Sequence, residues 1–360
     1  MRVLALNPGS SRMKGTLVEH GVVRDSASWP GADEVSDEGA VDDAVRRWGH
    51  PDVVAVRFVH GGSRDRPELV AAELLRELEQ LTPLAPLHQP LSLGVARAAR
   101  SVLPDVPVVA SFDTAFHRHL PESAARYALP RSWSERFTRH GFHGLSCRCA
   151  LRRTAGVLGV DPAEVRMLCC HLGSGVSVTA IRRGASADTS MGFTPLEGAA
   201  MSTRSGTVDP GLLLHLLESG EADGATLADA LQHRSGLAGL SGTSGDVREV
   251  LAARERGDRD AELALGVFTH RLRREIGACA MSLDGLDAIA FTGGVAENQP
   301  GLLGEILDGL GLLGLAVDRE RLFDSGDRLV SAPGTAAAVL VLESREDLEL
   351  ARDARDALRP

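Results

Sequence analysis

A repeated pattern constrains this chain more than any other feature. Met167-Leu168-Cys169-Cys170-His171-Leu172 is an apolar run that enters Gly173-Ser174-Gly175 and leaves through alternating Val176 and Val178. That pattern predicts a β-hairpin with a small-residue loop. Such a loop brings backbone N–H groups close to a ligand with no Cβ in the way, and Ser174 and Ser177 add hydroxyls suited to phosphate oxygens. A single turn of this kind reads equally well as an ordinary hairpin. The chain, however, opens in the same way. Val3-Leu4-Ala5-Leu6 leads into Asn7-Pro8-Gly9-Ser10-Ser11, and Thr16-Leu17-Val18 leaves. Laid over one another, Asn7 falls on His171, Gly9 on Gly173 and Ser10 on Ser174. Two copies set half a chain apart predict a duplicated α/β fold with one phosphate-facing hairpin in each lobe.

At 360 residues the chain is long enough for two domains. Its net charge of −10 argues against a nucleic-acid partner, which wants a basic face. No window of ~18 uncharged apolar residues predicts a membrane span, and Met1-Arg2 runs straight into a strand with no signal-peptide pattern. The five cysteines include adjacent Cys169 and Cys170 and form no C-x-x-C. They read as reduced, buried residues of a cytoplasmic protein. Cys147 and Cys149 lack the spacing of a structural zinc motif.

Further polar clusters sit where strands run into loops. Residues 52–59 form a strand ending in Arg57-Phe58-Val59-His60-Gly61-Gly62, so Arg57 is either a surface ion pair or a fork for carboxylate or phosphate. A buried strand over 106–110 runs into Asp113, which serves equally as a helix cap or as a metal-facing carboxylate. His143 stands between Gly141 and Gly144, and Arg204 stands among small residues. Two arginines in Gly-rich loops suit phosphoryl transfer. A strand over 286–291 meets Gly293-Gly294, a nucleotide-binding pattern but not G-x-G-x-x-G. Helices are predicted over 67–81, 91–103, 261–281 and 343–358. Residues 29–49 read as a loop with a short helix, and 235–246 as a small-residue loop.

Taken in order, the motifs resemble the acetokinase family of the sugar kinase, Hsp70 and actin superfamily over nearly the whole chain. They are Asn7-x-Gly9-Ser10-Ser11-x-x-Lys14, Arg57 to Gly62, Phe112-Asp113-Thr114-Ala115-Phe116-His117, Gly141-Phe142-His143-Gly144, His171-Leu172-Gly173, Met191 to Gly198, Thr203-Arg204-Ser205-Gly206 and Gly293-Gly294. The resemblance implies two actin-like (ribonuclease H-like) domains with an active-site cleft. The first would be 1–117 with a returning helix at 347–360, and the second 118–346, which binds nucleotide and forms a homodimer. It implies reversible transfer of the ATP γ-phosphoryl group to acetate, giving acetyl phosphate and ADP, with Mg²⁺ or else Mn²⁺.

Roles carry over motif by motif. Asn7 would meet the transferred group, Arg57 and Arg204 would bracket carboxylate and phosphoryl oxygens, and His143 would stabilise transition-state charge. Asp113, Asn7 and Glu346 would organise the metal. Val59, Leu87, Phe142 and Pro195 match a small acyl pocket. Nucleotide contacts would come from Lys14, His171, Leu172, Gly173, Ser174, Gly175, Asp246, Val247, Arg248, Gly293, Gly294, Val295, Ala296, Glu297 and Asn298. The chain departs from the family pattern at Arg12, Leu145, Cys147, Ser174, Ser202 and Ala296. The departures keep three alternatives in view: a propionate-type acyl kinase, a changed phosphoryl donor, and a nucleotide-binding homologue with weakened transfer.

Overall fold

The structure, a computed structural model, describes residues 1–9, 12–30 and 35–359. Ser10 and Ser11 of the first hairpin loop lie outside the described residues. The chain forms two compact units. One comprises Met1–His119, Phe142–Cys149 and Arg345–Pro360, the other Leu120–Gly141 and Ala150–Ser344. The first unit thus takes in Phe142–Cys149, a segment expected in the second domain, and the outer boundaries fall at 119 and 345 instead of 117 and 347. The reason is packing: Leu145 is buried in a core of the first unit, beside Leu350 and Ala354.

Among the described residues each unit holds one six-stranded mixed sheet. The first contains β1 (Arg2–Pro8), β2 (Arg12–Glu19), β3 (Val22–Pro30), β4 (Val53–Phe58), β5 (Glu68–Leu69) and β6 (Val108–Phe112), in the order β3-β2-β1-β4-β6-β5. The second contains β7 (Met167–Leu172), β8 (Val176–Arg182), β9 (Ala185–Thr189), β10 (Ala288–Thr292), β11 (Arg328–Leu329) and β12 (Ala338–Leu342), in the order β11-β12-β10-β7-β8-β9. Adding six to each strand of the first order gives the second read backwards, so the duplication extends from the hairpins to the whole sheet. Both opening hairpins form: β1 pairs antiparallel with β2, and β7 with β8.

The first sheet shows why its central strands read as unbroken apolar runs. Side chains alternate between faces, and both faces are covered. Leu4, Leu6, Val54, Val56, Phe58, Ala110 and Phe112 face one core, which includes Leu93 and Ala96 of the helix Gln89–Val102. Val3, Ala5, Val53, Ala55 and Val109 face the other, against Leu350, Ala351 and Ala354 of the C-terminal helix Glu346–Ala357.

Three segments differ from expectation. The chain at 29–49 completes the long strand β3 and then forms a full helix, Asp37–Trp48. Ser36 caps it and acids fill its first turn, while Ala40, Val41, Ala44 and Trp48 supply a narrow buried stripe among charges. Residues 67–81 split into the edge strand β5, where Leu69 pairs with Val109, and a helix Ala72–Glu79. Residues 235–246 contain the helix Gly236–Ser241, anchored by buried Leu237.

Candidate active site

In the first unit β1, β4 and β6 run parallel, so their carboxyl ends align, the usual place for ligands in α/β sheets. Leu6 lies beside Val56 and Arg57 beside Ser111. Alternation therefore turns Asn7 and Arg57 toward the face covered by the C-terminal helix. There Arg57 donates from Nε (3.0 Å) and Nη2 (2.6 Å) to Asp113 Oδ2, and from Nη1 to Asn7 Oδ1 (3.1 Å). Glu346 Oε2 lies 3.2 Å from Arg57 Nη1 and accepts Asn7 Nδ2 at 2.7 Å, while Oε1 accepts the Ser146 hydroxyl at 2.8 Å. The two residues that sequence left open thus meet one another. Arg57 belongs to a part-buried pair, not a surface one, and Asp113 binds its guanidinium while also accepting the Leu145 N–H in the first turn of the helix Gly144–Leu158.

Burial pulls the Arg57 guanidinium down, but the charges of Asp113 and then Glu346 outweigh it and hold it above the usual arginine value. Burial raises Asp113 to about 6 against the pull of Arg57, and the nearby Glu346 charge adds to the rise. Asn7, Asp113 and Glu346 offer hard oxygen donors. No group of three or more His, Cys, Asp or Glu side chains is placed to hold a metal among the described residues, and Arg57 stands amid this set. Two carboxylates and an amide oxygen are donors of the kind that a hard divalent cation with retained waters takes.

His143 has φ 57°, a left-handed backbone uncommon outside glycine, immediately before the helix Gly144–Leu158. Its carbonyl accepts Cys147 N–H at 2.9 Å, which starts that helix. Phe142 is buried, with the His60 ring edge-on at 5.9 Å. The Phe142 carbonyl lies 2.9 Å from His117 Nε2, and burial pushes His117 down to about 4, so the neutral imidazole donates. Val59 is buried and Leu87 half-buried in this same unit. Lys14 is exposed opposite Asn7 across the hairpin, so this expected nucleotide contact belongs to the first unit.

The second unit holds a cavity of about 730 Å³, in the range of small-molecule sites. Its lining includes Gly173 and Ser174 after β7, Gly294, Val295 and Asn298 after β10, and Asp246, Val247 and Arg248. Asp246 accepts Arg248 N–H as the cap of the helix Val247–Glu255, and binds the Arg248 side chain at 3.0 and 2.5 Å. Gly293 adopts φ 91°, and a Cβ there would lie 2.7 Å from the Leu172 carbonyl oxygen, so only glycine fits. Gly173 donates its N–H to the Gly175 carbonyl at 3.0 Å, and His171 stands half-buried at the end of β7. Leu172 and Ala296 are fully buried. Glu297 Oε1 accepts the N–H groups of Gly293 (2.9 Å) and Ser344 (2.8 Å), which fastens the loop. These three side chains support the cavity and do not line it. Leu237, Phe268, Ser244 and Gln299 do line it and were missed. Phe268 belongs to the helix Arg259–Ala280, whose periodicity marks a buried face without saying what that face meets.

Arg204 is 9% exposed, and its Nη1 donates to the Pro195 carbonyl at 2.7 Å. Among the described residues no carboxylate lies within ion-pair distance of it. Burial lowers it to about 10, so it remains charged at neutral pH.

Residues 49–352 match the acetokinase family. The chain belongs to that family. It is 45% identical to an acetate kinase of Synechococcus sp. over 85% of this chain and 76% of that protein, and 41% identical to one of Streptomyces avermitilis over 96% and 88%. The solved acetate kinase of Porphyromonas gingivalis superposes with TM-score 0.88 at 31% identity over 99% of this chain and all of that one. A propionate kinase of Francisella tularensis superposes with TM-score 0.90 at 29% identity, over the same shares. A putative N-acetylmannosamine kinase of Listeria monocytogenes, with TM-score 0.51 at 13% identity, shares the fold alone. The acetokinase-family chain is thus a phosphotransferase built on a duplicated actin-like fold.

Proposed function

We propose that this chain catalyses reversible, Mg²⁺-dependent transfer of the ATP γ-phosphoryl group to acetate, giving acetyl phosphate and ADP. One observation carries the reading: Arg204 is a buried cation with no acidic partner among the described residues. Such a group is favoured where a ligand supplies the anion.

The acetate carboxylate is ionised at neutral pH, so the reaction needs no general base. Positioning and charge stabilisation carry the catalysis. A carboxylate oxygen of acetate attacks the γ-phosphorus in line, and the bond to the β,γ-bridging oxygen of ADP breaks. Arg57 and Asn7 orient the acetate and the incoming group, and Arg204 and His143 stabilise charge on the equatorial oxygens. Mg²⁺, organised by Asn7, Asp113 and Glu346, would neutralise phosphate charge. ATP occupies the second-unit cavity, with phosphates toward Gly173 and Ser174 and adenosine toward Asp246, Arg248, Gly294 and Val295.

The residues proposed to meet the acyl group, Val59, Leu87, Phe142 and Pro195, are small or apolar. Such a set favours acetate over propionate only modestly, because one methylene in an apolar pocket is worth ~1–3 kcal/mol. We further propose a homodimer formed by the second unit. The helix Pro210–Glu218 has no buried residue and exposes Leu212, Leu214 and Leu217, a surface that favours a second copy. ATP supply and five buried cysteines support a cytoplasmic site of action.

The test is hydroxamate trapping of acyl phosphate from ATP, Mg²⁺ and acetate, with propionate beside it and Arg204→Ala as control. Turnover with acetate that the control abolishes is expected. Faster turnover with propionate would favour the second acyl kinase reading. ATP binding without turnover on either acid would reduce the chain to a nucleotide-binding homologue.

A further inference from the structure

The loop Gly192-Phe193-Thr194-Pro195 supplies the carbonyl that holds Arg204, and a group unused by the proposed chemistry fastens it. The Tyr127 hydroxyl accepts Phe193 N–H at 2.8 Å and donates to Glu197 Oε2 at 2.6 Å. Glu197 Oε1 accepts Arg139 Nη2 at 2.8 Å, and the Arg139 guanidinium lies 5.5 Å from the Tyr127 ring centroid. The fit is tight: a Cβ on Gly192 would collide with both the Glu197 carboxylate and the Tyr127 hydroxyl. The Phe193 ring meets Phe137 edge-on at 5.5 Å. Burial and the Glu197 charge hold the phenol above its ordinary value, so it keeps its proton and keeps donating.

Two side-chain bonds two residues apart therefore hold this loop, beside the backbone bonds that the Gly192 carbonyl accepts from His140 and Gly141. Tyr127 holds Phe193, and Arg204 holds Pro195. We propose that Tyr127, braced by Glu197 and Arg139, is a positioning residue that fixes residues 193–195 and, through the Pro195 carbonyl, aims the Arg204 guanidinium. The inference rests on the reading of Arg204 as a phosphoryl contact. It adds a requirement that this reading lacks, because Tyr127 is the only tyrosine of the chain and acts without touching substrate.

Tyr127→Phe removes one oxygen and keeps the ring. The expected result is a fall in kcat of about tenfold to a hundredfold, in line with small misplacements of a catalytic group. The KM for acetate rises severalfold with Pro195, while the KM for ATP stays within about twofold, because no residue of this loop lines the nucleotide cavity. A residue that acts through Arg204 has less to position once Arg204 is changed. In an Arg204→Lys background Tyr127→Phe should therefore cost less than about threefold. Glu197→Gln, which keeps an acceptor for the phenol, is the second variant should Tyr127→Phe fold poorly, with the same split between kcat and KM expected. Equal losses in both Arg204 backgrounds, or a kcat within twofold of wild type in folded Tyr127→Phe, would overturn the inference alone. Wild type without turnover, or Arg204→Lys as active as wild type, would overturn the reading and the inference together.

Discussion

At the carboxyl ends of β1, β4 and β6 the first unit carries Asn7, Arg57 and Asp113. At the matching positions of β7, β10 and β12, set by the hairpin overlay and the strand registers, the second carries His171, Thr292 and Ser344. One sheet used twice thus ends in two chemistries. The first copy places a full positive and two negative charges in a part-buried cluster. The second offers glycines and backbone N–H groups around a cavity. The same contrast separates the two arginines. Arg57 is neutralised by Asp113 and Glu346, whereas among the described residues Arg204 is held by the Pro195 carbonyl. A buried charge that lacks an opposite charge is costly unless a ligand supplies one, and this is the ground of the role proposed for Arg204.

Substitution of the two arginines tests this most directly. Arg204→Ala should lower turnover by ~10³-fold or more, the scale of an arginine acting on a transferring phosphoryl group. Its thermal melt should stay close to wild type, because no acid is stranded. Arg57→Ala should also lose turnover, and should destabilise the fold by about 3–5 kcal/mol in urea titrations, because Asp113 and Glu346 are left buried without their cation. Equal destabilisation by the two variants would erase the distinction drawn here.

A pH series sharpens the account of the first unit. The folded-state value of His117 is lowered to about 4, so the unfolded chain binds its proton more readily. Its contribution to stability is complete above the ordinary value near 6.5 and is lost as pH falls toward 4, with about 2 kcal/mol gone at pH 5. Asp113 has the opposite sign. Its value is raised to about 6, so the folded state gains relative stability as pH falls from there toward its ordinary value of 3.8. Urea unfolding at pH 7 and 5 should therefore show His117→Gln losing less stability on acidification than wild type. Parallel losses would remove His117 from the account.

In the second unit Gly293→Ala should cost about 1–3 kcal/mol through its φ of 91° and its contact with the Leu172 carbonyl. It should weaken ATP binding, measured calorimetrically, more than it changes the KM for acetate. The smallest effect belongs to Asp246→Ala, which removes a helix cap worth about 1 kcal/mol and the partner of Arg248. It should raise the KM for ATP while leaving kcat nearly unchanged.

Much of the architecture was legible because it is local. An apolar run, a Gly-Ser loop and a second run define a hairpin, and two such hairpins reveal the duplication. The helix Asp37–Trp48 was harder to read, since its buried stripe is four residues set among charges. The helix Gly236–Ser241 was hidden for a similar reason, its glycines and serines giving a turn signal that a buried Leu237 overrides.

The site divides along the same line. Sequence alone determined which residues lie at strand ends and in glycine loops, because strand, turn and glycine signals span only a few residues. Tertiary structure decided what those residues meet. Glu346 reaches Asn7 across 339 positions, Ser146 reaches Glu346 across 200, and Tyr127 reaches Glu197 across 70. No local pattern encodes such pairings, which follow from the register of parallel strands and the packing of the returning helix. Whether an arginine meets carboxylates or a carbonyl is a property of those long-range neighbours, and so it emerged only in the folded chain.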